Sequence, residues 1–479
     1  MKTLTILQLN DLHGYLEPHW EMVHETNEWS LKKLGGLARI SSLFKNIRNE
    51  SPGAILTVDN GDTFHGTYIS TTQRGLSMIE IMNAMKFDAM TTHWEFAYGP
   101  SGVKEISKKL NYPMLGINCF YKDSNELFFQ PYQMIERGGL KVALIGLACP
   151  IVDKTMPPSF SEGVYFTIGN EELPRWIETV KEKEKADVIV ILSHLGFPQD
   201  IQLAKEVNGI DILVSGHTHN RMDHAVVINN AIIFQSGCHG SFIGKLVAQI
   251  QNKKVISFKH DLIPVDDHLD EDPVVKSLVN STLDPHRKKL NEVVGEITMP
   301  LHRYSMLSTP MDDVLLEAIM SAASTQIAFS NGWRYGVPIP AGVVTIDNLW
   351  NIIPVNPPVQ TVDMSGAELW QMLEDNLERT FAANPYEQMG GYVKRMRGIT
   401  MYFKAENPNN CRIDRLFVGK KKIIQDEIYS VAFVTAQGVP MKFGKNRKKL
   451  DIDSITALQN LFKSKEKITP SQVQTVFEI

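Results

Sequence analysis

Short apolar runs that break off into Asp, His or Gly constrain this chain more than any other feature. The runs 4–9, 54–58, 142–147, 188–192 and 212–214 are three to six residues long and rich in Val and Ile. That length and composition fit buried strands rather than helices. Between the runs the spacing predicts helices over 34–49, 77–85 and 172–185. Alternation of this kind points to an α/β layer structure. Around 243–250 and 255–260 the pattern becomes that of a β-hairpin.

The chain has 479 residues, with 49 Lys and Arg against 54 Asp and Glu, a formal charge of −5. This balance excludes a strongly basic nucleic-acid binder. No stretch approaches the roughly 18–20 apolar residues of a membrane helix. Cys119, Cys149, Cys238 and Cys411 lie far apart without a CxxC pair, so they form neither a disulfide framework nor a thiolate metal site. The opening residues Met1 to Asn10 lack the apolar core of a signal peptide, and a cytoplasmic location is expected.

The composition turns acidic over 266–272, and a helical pattern starts at Pro273, which Pro285 should kink or interrupt. The expected organisation is a first domain over 1–265, a helical linker over 266–294 and a second domain over 295–479. The second domain should contain helices over 311–323 and 367–377 and a strand over 428–434. The lysines at 420–422 and 445–449 read as solvated turns.

Five motifs gather carboxylates and imidazoles: Asp11-Leu-His13, Gly61-Asp62, Thr92-His93-Trp94-Glu95, Ser193-His194-Leu-Gly196 and Gly216-His217-Thr-His219. Each alone reads as an ordinary strand-end turn. Together they offer two aspartates and five histidines, enough to surround two divalent ions with one carboxylate bridging. His217 and His219 are two apart and would share a face if they lay on a strand. In open α/β sheets, ligands collect at the carboxyl ends of strands, where these motifs fall. Mixed carboxylate and imidazole donors suit Mn, Fe, Zn or Co rather than Ca or Mg. A pair of such ions about 3.5–4 Å apart serves hydrolysis.

In this order the motifs resemble those of the calcineurin-like metallophosphoesterases. The run Gly61-Asp-Thr-Phe-His-Gly66, followed by a second domain, resembles the 5′-nucleotidase family within them. The resemblance implies an α/β protein: an N-terminal metallophosphoesterase β-sandwich flanked by helices, then a C-terminal α/β domain of 5′-nucleotidase type. It implies that Asp11, His13, Asp62 and His219 hold one metal. Asp62 would bridge to a second, held by His93, His194 and His217. Manganese is the expected ion, with zinc, iron and cobalt as alternatives. The implied activity is cleavage of a small phosphate ester, a nucleotide or a related compound, by a metal-activated water. No nucleic-acid polymer, membrane or obligate protein partner is expected.

The chain departs from that family at one motif. Where the family writes Gly-Asn-His-Glu-Phe-Asp-x-Gly, residues 92–99 read Thr-His-Trp-Glu-Phe-Ala-Tyr-Gly. His93 replaces the Asn ligand, Trp94 the catalytic His, and Ala97 the Asp that orients it. An indole N–H gives a hydrogen bond but exchanges no proton. The form His-Trp-Glu-Phe-x-Tyr-Gly resembles the bacterial thiosulfohydrolase of the sulfur-oxidation pathway, as do 333–336 and 384–395. Hydrolysis at a cysteine S-sulfonate is therefore an alternative, and metal binding without catalysis another. In the second domain, Asn331-Gly-Trp333-Arg334 stands where the family has its phosphate-binding Asn-Gly-Gly-x-Arg. Arg334 is the expected oxyanion anchor, since its planar fork suits bidentate binding. Trp333, Tyr392 and Arg395 are further candidate substrate contacts. The family's late Gly-Gly-Asp-Gly-Tyr segment is absent, which removes one side of a base pocket.

Overall fold

The computed structural model describes residues 1–25, 27–471 and 474–479. The chain divides into two compact units, one of residues 1–21 and 33–285, the other of residues 22–32 and 286–479.

The first unit is built on two sheets. The five-stranded sheet runs Lys254–Pro264, Phe242–Gln251, Lys2–Leu9, Ile55–Asp59, Ala89–Met90. The six-stranded sheet runs Val226–Ile228, Ala231–Phe234, Ile212–Val214, Val188–Ser193, Leu140–Leu147, Tyr132–Arg137. Side chains alternate across each strand, and that period of two explains the unbroken apolar runs. Val188, Val190 and Leu192 pack into a shared core with Leu4, Ile6, Leu56 and Val58 of the other sheet. Ile189 and Ile191 face the opposite way, against Leu173, Ile177 and Val180 of the helix Leu173–Glu182 and Leu203 of the helix Phe197–Glu206. A strand covered on both faces needs apolar residues at every position. The result is a β-sandwich flanked by helices. The expected hairpin is present, with Phe242–Gln251 antiparallel to Lys254–Pro264. The two-stranded sheet of Pro18–Glu25 and Glu28–Gly35, whose residues are divided between the two units, has no counterpart in the reading above.

The second unit is also α/β. Its five-stranded sheet runs Arg395–Arg397, Ile327–Ser330, Ile428–Phe433, Pro358–Ser365, Lys445–Asp453. The helix Gly366–Phe381 opens on a capping box between Ser365 and Glu368 and buries Leu369, Met372, Leu373 and Leu377 in that unit's core. Pro285 sits inside the helix Pro273–Leu290, which continues past it. Its missing N–H releases the Ser281 carbonyl one turn back. The two units divide within this helix, between Pro285 and His286. One expectation needs correction: Lys421–Lys422 and Lys445–Asp453 are strands at sheet edges rather than turns. Charge on an edge strand discourages pairing with another chain, which accounts for lysine there.

Candidate metal centre

The motif-bearing loops follow strands that share one direction. Lys2–Leu9, Ile55–Asp59 and Ala89–Met90 are parallel neighbours in one sheet, and Val188–Ser193 and Ile212–Val214 in the other. The residues that follow their carboxyl ends meet in one place, which puts those ends of both sheets at the same edge of the sandwich. There the structure brings together all seven candidate ligands. Asp62, His93, His194 and His217 form one group of donor atoms and Asp11, His13, Asp62 and His219 a second, each within 4.8 Å, with Asp62 common to both.

Asp62 is the hub. Its carboxylate lies 3.0 Å from His93 Nδ1, 3.2 Å from His194 Nε2 and 3.7 Å from His13 Nε2. The Trp94 backbone N–H donates to Asp62 Oδ1 at 2.7 Å. Asp11 lies 3.2 Å from His219 Nε2 and accepts the His217 backbone N–H at 3.0 Å. Gly61 permits this approach: a Cβ there would meet the Thr91 carbonyl oxygen at 2.8 Å, and its φ is +86°.

The tautomers are set from behind. His194 Nδ1 donates to the Asn60 carbonyl at 2.5 Å and His13 Nδ1 to the His65 carbonyl at 3.2 Å, since a carbonyl only accepts. Both rings thus turn Nε2 inward, and His13 Nε2 lies 3.2 Å from His219 Nε2. The buried Nε2 atoms of His93 and His194 make no directed hydrogen bond. Imidazole nitrogens gathered around two carboxylates, with carbonyl partners orienting His13 and His194 from behind, make a donor set for cations. The residues fit two divalent ions.

The electrostatics agree. Burial acts to raise Asp62, but the His93 and His194 imidazoles outweigh it and hold the carboxyl well below the usual range. Burial acts to lower His194, yet Asp62 and Asp11 raise it to about 10. Asp62 likewise raises His93 against its burial. At His13 burial prevails and holds the imidazole well below its ordinary value. Without a metal, protons on His93 and His194 balance the two carboxylates, and a metal must displace them.

Backbone geometry marks the same residues. Asp11, His13, Asp62, His217 and His219 all have φ between 51° and 73°, in the left-handed region. His217 and His219 occupy a turn beyond the strand Ile212–Val214, so they do not share a strand face; each serves a different donor group. Several organising residues escaped the sequence reading. Asn60 donates to the carbonyls of Ser193 and Val214, tying three loops together. Glu95 accepts the backbone N–H groups of Thr63, Phe64 and His93. Asn60 stands directly before Gly61-Asp62, and an Asn in that place was the available signal.

In the second unit, Arg334 lies over the Tyr392 ring at 5.3 Å and donates to the Gly391 carbonyl at 3.2 Å; both residues are half-buried. Two other candidates are structural. Arg395 is buried, 2.9 Å from Asp312, and donates to the carbonyls of Ser305 and Met306. Its fork is already committed. Trp333 is buried with the Arg303 guanidinium 5.8 Å from its ring.

Residues 4–221 match the calcineurin-like phosphoesterase family, which places the fold and the carboxylate–imidazole cluster in a class of metal-dependent hydrolases. Residues 293–435 match the 5′-nucleotidase C-terminal domain. The chain belongs to the 5′-nucleotidase family of calcineurin-like metallophosphoesterases, enzymes of phosphoester hydrolysis. It is 26% identical to the trifunctional nucleotide phosphoesterase YfkN of Bacillus subtilis over 91% of this chain, and spans only 32% of that protein. It is 24% identical to the 5′-nucleotidase of Vibrio parahaemolyticus, covering 89% of this chain and 82% of that one. Among solved structures, the sulfate thiohydrolase SoxB of Thermus thermophilus aligns with a TM-score of 0.92 at 22% identity, over 99% of this chain and 96% of that one. A 5′-nucleotidase precursor from the same species aligns at 0.87 and 21% identity, over 100% and 99%. Both likenesses speak to fold. Among the described residues, no helix is long and apolar enough to cross a membrane.

Proposed function

We propose that the seven residues hold two divalent transition-metal ions, with manganese the leading choice, and that the chain hydrolyses small phosphate monoesters whose leaving groups depart without taking up a proton. The observation that carries this reading is Asp62, shared by two four-residue donor groups. When bound, such a pair of ions lowers the pKa of a water and neutralises phosphoryl oxygens. The chain's own residues supply the geometry. The Trp94 backbone N–H fixes the Asp62 carboxylate, and the Asn60 and His65 carbonyls fix His194 and His13. No side chain at 94 or 97 carries a proton to the leaving group, because these positions are Trp and Ala. In the second unit, Arg334 offers an oxyanion fork and Tyr392 a stacking face. The names of the curated relatives support a nucleotide or a related phosphoester.

A second reading is hydrolysis at sulfur, favoured by His93-Trp94-Glu95-Phe96. One panel separates them: manganese-loaded protein assayed with p-nitrophenyl phosphate, AMP and a cysteine S-sulfonate peptide. Turnover of the aryl phosphate supports the phosphoesterase. Sulfate release without phosphate-ester turnover sinks it in favour of the second reading. Metal bound at full stoichiometry with no turnover at all would leave a binding protein.

A further inference from the structure

The turn Gly216-His217-Thr218-His219 carries one ligand for each donor group: His217 joins His93 and His194, and His219 joins Asp11 and His13. Both histidines sit in the left-handed region, at φ 73° and 59°, with a single residue between them. Backbone of this kind persists only where its surroundings over-determine it. Here one side chain does so.

Gln235 follows the strand Ala231–Phe234 and is fully buried. Phe234 is the parallel partner of Val214, so Gln235 stands beside Ser215, at the entrance to the turn. Its Nε2 donates to the Gly216 carbonyl at 2.6 Å and to Ser215 Oγ at 2.9 Å. Its Oε1 accepts the Asn220 backbone N–H, and the Thr218 hydroxyl at 3.2 Å. A carbonyl at one end and a backbone N–H at the other fix which end of the amide is which. The side chain thus spends two donors and two acceptor sites on residues before His217, between the histidines and after His219. Thr218 Oγ1 in turn accepts the Phe197 backbone N–H at 3.1 Å, which ties the turn to the chain that follows the His194 motif. Glutamate has the same shape but no donor once ionised, and asparagine is one methylene too short.

We propose that Gln235 is a positioning residue for both metal positions at once, holding the turn as one body so that His217 and His219 are presented together. This rests on the two-ion reading above. Gln235 acts through the turn and not on the reacting atoms. Its loss should weaken both ions in parallel, whereas loss of a ligand such as His13 should fall on its own group.

The test titrates the metal-free full chain with Mn²⁺ against a chelator of known affinity, with melting temperatures recorded alongside. Wild type should bind two ions. Gln235→Glu should bind the same two, each about tenfold or more weaker. Excess Mn²⁺ should then restore the exchange-coupled electron paramagnetic resonance signal of the pair. A chain that is merely less stable loses capacity at unchanged dissociation constants, so the two cases read differently. His13→Ala, the comparator, should weaken one ion. Thr218→Val removes the hydroxyl bonded to Oε1 and should weaken both ions by a smaller factor; it decides the matter if Gln235→Glu fails to fold. Unchanged dissociation constants in the deciding variant, or weakening of one ion alone, overturn the role of Gln235 and leave the dinuclear reading standing. Wild type holding fewer than two ions overturns both.

Discussion

The indole of Trp94 is stacked on the imidazole of His65, with ring centroids 4.9 Å apart and planes inclined by 19°. Burial pushes His65 down to about 4, so the stacked ring is neutral near pH 7. Phe160 meets the indole edge-on at 6.4 Å. Position 94, where the family places a catalytic imidazole, is here part of a packed aromatic wall.

That wall sets the first prediction. A positioned acid typically contributes 10²–10⁴-fold when the leaving oxygen needs a proton. Wild type should therefore hydrolyse p-nitrophenyl phosphate well and AMP poorly. Trp94→His with Ala97→Asp should narrow that ratio by about tenfold or more, provided the stack with His65 is not lost. Rates and melting temperature of the double variant decide it. An unchanged ratio in a well-folded protein means the missing dyad does not limit the site.

Metal uptake should be coupled to pH. His194 is raised to about 10 from an ordinary 6.5, so its protonated form favours the folded, metal-free state. That contribution is complete below about pH 6.5 and fades as pH rises through 10. The metal-free protein should lose melting temperature across this window, and the manganese-loaded protein much less. Calorimetric titration with manganese in two buffers of different ionisation enthalpy should report proton release. Identical heats in both would contradict the protonated His194.

Asn60→Ala removes the link between the Ser193 and Val214 carbonyls while keeping the backbone carbonyl that orients His194. Metal affinity should fall about 10–100-fold, as for other outer partners of metal ligands. Competition with a chelator of known affinity measures this.

Asp312 holds two buried guanidinium groups, Arg303 Nε at 2.9 Å and Arg395 Nε at 2.9 Å. Asp312→Ala should destabilise the second unit by about 3–5 kcal/mol, because both charges lose their partner in a buried setting. Arg395→Met should likewise act on stability, seen in a melting scan, and leave the metal content of the chain unchanged. A raised KM with unaltered melting would restore Arg395 as a substrate contact.

Much of this was readable beforehand, because the strands carry their own signal. Val188 to Leu192 is apolar at every position, as a strand between a second sheet and a helix layer must be. The ligands were readable because their side chains are costly to bury without a purpose. The pair of strands Pro18–Glu25 and Glu28–Gly35 was not, since the polar strand Glu28–Gly35 is largely exposed and lacks periodic burial. Arg395 misled because a buried ion pair and a phosphate anchor use the same residue type. Only the position of Asp312, 83 residues earlier in the chain, tells them apart.

The left-handed backbone at Asp11, His13, Asp62, His217 and His219 is a cost the fold carries. Non-glycine residues held there cost of order 1–3 kcal/mol each. Glycine would adopt the same backbone without that cost, but it brings no donor atom. At these five positions comfort of the chain and possession of a ligand are alternatives, so a glycine variant would gain backbone ease at the expense of the donor set.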